Sequence, residues 1–221
     1  MEGVKLIDIK EEVLAENKEL ADEIRENLAS AGVCLVNLMS SPGSGKTSLI
    51  LRSLDSLKDD HRISVIEGDI DSMVDAEAIA QQGVAVVQIR TGGFCHLNAA
   101  MVEKGLAQLD LERLDLVFLE NVGNLVCPAE CDTGANLNIA VLSVPEGDDK
   151  PLKYPLIFRI CDALVVNKVD CSDYFDFNME TLVRRVRRLN ETAPIFELSC
   201  KTGQGIEAWC RWLARKLVSR P

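Results

Sequence analysis

Ser40-Ser41-Pro42-Gly43-Ser44-Gly45-Lys46-Thr47 is the stretch from which the rest of the chain can be read. Directly before it, residues 33–39 (Val-Cys-Leu-Val-Asn-Leu-Met) read as a buried strand, and residues 47–54 (Thr-Ser-Leu-Ile-Leu-Arg-Ser-Leu) read as a helix. A strand, a glycine-rich turn and a helix in that order make a cradle for phosphate. Gly43 and Gly45 let backbone N–H groups turn inward around an anion, and the helix N-terminus adds its dipole. In that arrangement Ser41, Ser44 and Ser48 help wall the phosphates, Lys46 reaches the β- and γ-phosphates, and the Thr47 hydroxyl takes a Mg²⁺ position. Ser40 stands where the pattern usually has glycine, a change that a tight turn accommodates. A glycine-rich turn that binds nothing is the bland alternative, and the flanking strand and helix argue against it.

Outward from this loop the chain alternates. Further strands are expected at residues 63–69, 84–89, 114–120, 139–144, 163–167 and 195–199. Helices are expected at 75–82, 98–109, near 156–159, at 179–189 and at 206–218, with a long loop from 121 to about 136. Apolar strands separated by helices give an α/β fold, a three-layer, mainly parallel sheet of the P-loop NTPase kind covered on both faces. Residues 10–30 add an N-terminal helix whose stripe of Val13, Leu14, Leu20, Ala21, Ile24 and Leu28 is expected to pack on the core before Gly32 ends it. A single domain follows, with residues 1–32 as the added helix and 33–221 as the nucleotide domain. Ligands of such sheets bind at the carboxyl ends of strands. Every motif below leaves a strand at that end, so all are expected on one rim.

The formal net charge of −11 argues against DNA or RNA as a partner, because such contacts rest on clustered Lys and Arg. The basic run Arg184-Arg185-Val186-Arg187-Arg188 lies at helical spacing and reads as a solvated face. No run of about 18 apolar residues occurs, and the opening Met1-Glu2-Gly3-Val4-Lys5 lacks the layout of a secretion signal. A cytoplasmic protein with no membrane contact is expected. Its 8 cysteines are scattered, which excludes a disulfide framework in that setting. Cys34, Cys161 and Cys210 lie in apolar patterns and read as small core hydrophobes.

Asn167-Lys168-Val169-Asp170 leaves the 163–167 strand and selects guanine for a chemical reason. The Asp170 carboxylate can accept from guanine N1–H and from its N2 amine, whereas adenine would oppose it with a lone pair. Asn167 braces the loop and the Lys168 stem covers one face of the base. Ser199-Cys200-Lys201 ends the last strand and offers backbone N–H groups and a second lysine stem to the same base.

Glu120-Asn121-Val122-Gly123 ends the 114–120 strand; Glu120 can hold Mg²⁺ and the Gly123 N–H can sense a γ-phosphate. In Glu67-Gly68-Asp69-Ile70-Asp71, Asp69 is the choice for facing the Mg²⁺ or the attacking water, with Asp71 in reserve. Lys46, Asp69 and Glu120 are thus the catalytic candidates. Nearby loops carry Cys95-His96 and Cys127, two thiols and an imidazole suited to Zn²⁺, Ni²⁺ or Cu⁺. Adjacent Cys-His is not a chelate spacing, so two incidental loop cysteines and a surface histidine are the rival reading. Cys131 is a candidate fourth ligand.

Taken together, residues 40–47, 91–96, 120–128, Glu146-Gly147-Asp148-Asp149 and 167–170 resemble the HypB family of hydrogenase and urease nickel-incorporation GTPases. The resemblance implies a GTPase that binds GTP/GDP and Mg²⁺, forms a homodimer promoted by GTP and carries nickel or zinc at Cys95, His96 and Cys127. It also implies delivery of nickel to the [NiFe] hydrogenase large subunit with a HypA-type nickel chaperone. Many members carry an N-terminal Cys-x-x-Cys-Gly-Cys motif or a histidine-rich tract; this chain has neither, and His61 and His96 are its 2 histidines. Urease-type and cobalamin-mutase-type GTPase chaperones are the near alternatives, and a small-molecule P-loop kinase or a non-catalytic metal-binding module the distant ones.

Overall fold

The computed structural model describes residues 9–218, with side chains from Leu14 onward. The Met1 to Lys5 opening and the Val13 side chain lie outside the described residues. In chain order the elements are α1 (Ile9–Ala31), β1 (Cys34–Ser40), α2 (Lys46–Leu57), β2 (Ile63–Asp69), α3 (Val74–Ala80), β3 (Ala85–Arg90) and α4 (Ala99–Leu106). There follow β4 (Leu116–Glu120), α5 (Cys127–Glu130), β5 (Leu137–Ser143), α6 (Lys150–Lys153), α7 (Pro155–Ile160), β6 (Ala163–Asn167), α8 (Met179–Arg187), β7 (Ile195–Glu197) and α9 (Ile206–Val218).

β1 is buried along its whole length because Cys34 to Ser40 presents small and apolar side chains to both faces of the sheet. The strands order as β3-β2-β4-β1-β5-β6-β7, and every pairing is parallel. A wholly parallel sheet follows from the crossovers, since each strand is returned to the same edge by a connection that runs along a face. One face is sealed by Leu49, Ile50 and Leu54 of α2, Ile79 of α3, and Trp209 and Leu213 of α9. The other is sealed by Ala21, Ile24 and Leu28 of α1 with Val102 of α4, and by Ile157, Phe158, Leu182 and Val186 further along. The first switch in strand order lies beside β1, which puts the phosphate loop over the crevice at the carboxyl ends of β1 and β4.

Local chemistry explains the boundaries. Gly32 at φ 71 closes α1, with the Val33 N–H bonding back to Leu28 O at 2.9 Å, a left-handed stop that glycine adopts freely. Asn98 caps α4 by accepting from Met101 N at 2.9 Å, and Asn178 caps α8 by accepting from Thr181 N at 2.8 Å.

Three details depart from the sequence expectations. The 121–136 loop holds a single turn of helix, α5, started by Pro128, and four residues are too few to show a period. The helix expected near 156–159 is α7, and an unexpected short helix, α6, precedes it, the two broken before Pro155, where the residue preceding proline is driven out of the helical region. The arginine run of α8 is not a purely solvated face. Arg185 grips Asp148, and Arg187 donates to Ala193 O at 2.7 Å, so two of the guanidinium groups tie α8 to neighbouring loops.

Candidate nucleotide and metal site

The phosphate loop encloses one wall of a cleft of about 540 Å³. Gly43 and Gly45 have φ of 75° and 101°, and a Cβ on Gly45 would stand 2.3 Å from Asn167 Nδ2. Only glycine fits there. Lys46 is buried beneath the loop, donating to Ser40 Oγ at 3.2 Å and lying 4.0 Å from Glu120 Oε1. Ser44 Oγ is buried with no partner, a donor held for something absent from the chain itself. Ser48 also lines the cleft. Ser41 is held from outside: its hydroxyl donates to Glu146, whose other carboxylate oxygen accepts from Ser143 N and Oγ, both at 2.7 Å. In the Glu146-to-Asp149 string, therefore, Glu146 braces the phosphate loop and Asp148 grips α8.

Glu120 projects from the end of β4 and accepts from Thr47 Oγ1 at 2.8 Å. Its second oxygen has no partner. Burial pushes its carboxyl up to about 7 against the pull of Lys46 and of the Thr47 hydroxyl. A hydroxyl and an orphaned carboxylate oxygen beside a phosphate loop fit Mg²⁺, a hard cation bound through oxygen and sharing its shell with phosphates.

Sequence reasoning passed over Glu67. It pairs with Glu120 across β2 and β4, is 3% exposed and lines the cleft, and its Oε2 has no partner. Burial, reinforced by Glu120, pushes it up to about 8. Glu67 directly follows the run Ile63-Ser64-Val65-Ile66, and those neighbours alone do not mark it out. Asp69 also lines the cleft, but one of its oxygens is engaged in a turn, accepting from Asp71 N at 2.9 Å and Ser72 N at 2.7 Å. Asp75, at the start of α3, faces the same space, whereas Asp71 reaches outward to within 4.0 Å of Arg90. Gly123 closes the far wall, where a Cβ would stand 2.9 Å from Pro42 N and Cα.

The residues expected to read the base meet at Asn167. Its Nδ2 donates to Ser44 O at 3.0 Å, and its Oδ1 accepts from Lys168 N at 2.7 Å and Cys200 N at 3.1 Å. Lys168, at φ 63, sends its ammonium to Gly43 O at 2.6 Å and so arches over the cleft edge. Asp170 accepts from Ser199 Oγ at 2.6 Å, and that bond holds its carboxyl below the ordinary range, an ionised acceptor. Arg52 Nε pins Cys200 O at 2.6 Å, and Lys201 is exposed beside it.

Around the rim from the phosphates, the ligand atoms of Cys95, His96 and Cys127 all lie within 4.8 Å of one another. The two sulfurs are 2.9 Å apart and Cys95 Sγ is 3.8 Å from His96 Nδ1. Ligands about 2.0–2.3 Å from one tetrahedral ion stand roughly 3.3–3.8 Å apart, so a small outward shift of the sulfurs seats a metal. Burial lowers the His96 pKa and keeps the imidazole neutral, the form that ligates, while the contact with Cys95 raises the Cys127 thiol. Cys131 does not join the three, although it lines an adjoining cavity of about 550 Å³ with His96 and Cys127. Burial pushes its thiol up to about 11.

Fold and site together define a P-loop nucleotide-binding protein with a sulfur–imidazole cluster at the edge of its cleft. Residues 34–197 match the CobW/HypB/UreG nucleotide-binding domain. The chain is 46% identical over 206 residues to the hydrogenase/urease maturation factor HypB of Helicobacter hepaticus, covering 91% of this chain and 84% of that one. The crystal structure of HypB from Helicobacter pylori in complex with nickel superposes with a TM-score of 0.87 at 40% identity, covering 91% of this chain and 95% of that chain. HypB from Archaeoglobus fulgidus gives 0.86 at 39%, covering 92% and 100%. The chain belongs to the HypB family of hydrogenase and urease maturation factors. Among the described residues no helix is long and apolar enough to cross a membrane.

Proposed function

We propose that this protein is a GTP-hydrolysing metallochaperone that binds nickel or zinc at Cys95, His96 and Cys127 and assists nickel insertion into [NiFe] hydrogenase. The observation that carries the reading is the shared scaffold: β4 supplies Glu120 to the cleft, and the same loop runs through Gly123 to Cys127. A loop that senses the nucleotide therefore also carries a metal ligand.

In this reading Lys46 neutralises the β- and γ-phosphates, and Thr47 and Glu120 hold Mg²⁺, which supplies charge compensation at the transferred phosphate when bound. Asp69 orients the attacking water. Asn167, Lys168 and Asp170, with the 199–201 loop, select guanine. None of the described residues lining the cleft is an arginine and no arginine finger is identifiable, so intrinsic hydrolysis is slow. GTP promotes a homodimer, and a water or a second subunit completes the three-ligand metal site. The client is a [NiFe] hydrogenase large subunit, reached with a HypA-type nickel chaperone in the cytoplasm.

The test is a Ni²⁺ and Zn²⁺ titration in the presence of GDP and of a non-hydrolysable GTP analogue, with mass in solution measured alongside. Stoichiometric binding, tighter with the GTP analogue and accompanied by doubling of mass, is expected. Equal metal affinity and equal mass in the two states would sink the reading.

A further inference from the structure

One buried carboxamide joins the metal loop to the switch loop. Asn121 is 1% exposed, and its Oδ1 accepts at 3.0 Å both from Leu97 N and from Val122 N. Leu97 follows His96 directly, and Val122 precedes Gly123. The carboxamide is itself fixed, because its Nδ2 donates to Asn37 Oδ1 at 3.1 Å and Asn37 donates to Asn138 Oδ1 at 2.9 Å. This polar chain crosses from the β4 end over β1 to β5: Asn37 and Asn138 are paired in the sheet, and Asn121, one residue past β4, donates its N–H to Leu38 O at 3.1 Å.

Leu97 is also a contact between the metal loop and the cleft's second acidic segment, beside the backbone bonds from Thr91 N to Asp69 O and from Gly92 N to Ile70 O. Its side chain is fully buried over Gly68, where an added Cβ would stand 2.6 to 2.9 Å from three Leu97 atoms. Gly68 separates Glu67 from Asp69. The residue after a metal ligand thus bears on β2 through its side chain and on the Gly123 loop through its N–H.

We infer that Asn121 and Leu97 form a joint through which the nucleotide state sets the position of His96, separately from the loop that carries Cys127. The inference rests on the coupled-site reading above. Movement of Gly123 toward a γ-phosphate drags the Val122 N–H, and the Leu97 N–H shares its acceptor. With Asn121 held by Asn37, withdrawal of the Val122 N–H leaves that oxygen to the Leu97 N–H alone, so a change at Gly123 is felt at the residue after His96. Asn121 and Leu97 are positioning residues; neither is a metal ligand.

The experiment measures Ni²⁺ affinity with GDP and with a non-hydrolysable GTP analogue for the native protein, Leu97→Val and Asn121→Ala. Nucleotide affinity and the thiolate-to-nickel charge-transfer spectrum are recorded in parallel. The native ratio of affinities is expected within roughly 5- to 150-fold, the usual span of coupling between sites. Asn121→Ala is expected to bring it to within about twofold of unity, with charge-transfer spectra that no longer differ between nucleotide states, and Leu97→Val, which keeps the N–H link but shortens the contact over Gly68, to lower it at least about twofold. If Asn121→Ala does not fold, Leu97→Val decides, since it keeps the backbone donor and a branched apolar side chain. A variant that folds and keeps the native ratio overturns the joint, as does a ratio that falls only in step with nucleotide affinity. A native ratio of one overturns the coupled-site reading itself.

Discussion

Cys95 and Cys127 bring their sulfurs to 2.9 Å across 32 residues of chain. They do so because the loops leaving β3 and β4 arch over the end of β2, the strand that lies between those two in the sheet. The clustering of Cys95, His96 and Cys127 is therefore a property of strand order. A strand inserted beside β2 would separate the ligands by about 5 Å, more than the whole spread of a tetrahedral shell.

Removing any one ligand should abolish stoichiometric binding. Cys95→Ala, His96→Ala and Cys127→Ala are each expected to lower Ni²⁺ and Zn²⁺ affinity by at least about 100-fold in equilibrium dialysis, because two ligands leave half of a tetrahedral shell to water. Cys131→Ser is expected to keep native stoichiometry. Full occupancy in a protein lacking all three ligands would show that the cluster has been misassigned.

The buried acids predict a pH dependence of stability. The Glu67 and Glu120 carboxyls sit at about 8 and about 7, against an ordinary value of 4.5. Above that ordinary value the unfolded chain has released these protons while the folded chain still holds them. Stability of the nucleotide-free protein therefore falls as pH rises from about 4.5 and levels off beyond about 8. Glu67→Gln removes one of the two groups and should flatten the fall. Melting temperatures recorded across this range, without nucleotide or Mg²⁺, check it; a variant with the native slope would contradict it.

Gly45→Ala tests the packing of the phosphate loop. Its new methyl would strike Asn167 Nδ2, and its φ of 101° is strained for any L side chain. Guanine-nucleotide affinity is expected to drop by at least about 100-fold, with a loss of roughly 1–3 kcal/mol in folding stability. Fluorescent-GDP titration and urea unfolding read the two effects. Native GDP affinity in the variant would mean that the loop adjusts without loosening Asn167.

Asp170→Asn should move base preference from guanine toward xanthine, because an amide can donate to the oxygen that replaces the guanine amine. Competition between GDP, XDP and ATP measures the change. Native protein that bound ATP as well as GTP would end the guanine reading and favour the kinase alternative.

The cleft was legible wherever chemistry is carried by neighbours in sequence. Ser40 to Thr47 and Asn167 to Asp170 each declare a function within one turn, and their strand context can be read from apolar runs. Cys95 and His96 were legible as a pair, but their meeting with Cys127 depended on which strands are adjacent, and local sequence does not encode strand order. Glu67 was hidden for a related reason: its significance lies in Glu120 standing opposite it in the register, not in the residues on either side of it. α5 is shorter than the period that would reveal it. Arg185 and Arg187 looked solvated because Asp148 and the Ala193 carbonyl reach them from other loops.

Asn167 touches the phosphate loop, the start of its own loop and the Cys200 turn with a single side chain. Three walls of the cleft are thereby held at fixed spacing by the chain's own bonds, so much of the ordering that binding would otherwise require is completed during folding. The cleft works as a gauge set to one base-to-phosphate distance, which leaves discrimination between guanine nucleotides to segments that Asn167 does not touch, the one after Asp69 and the loop beyond Gly123.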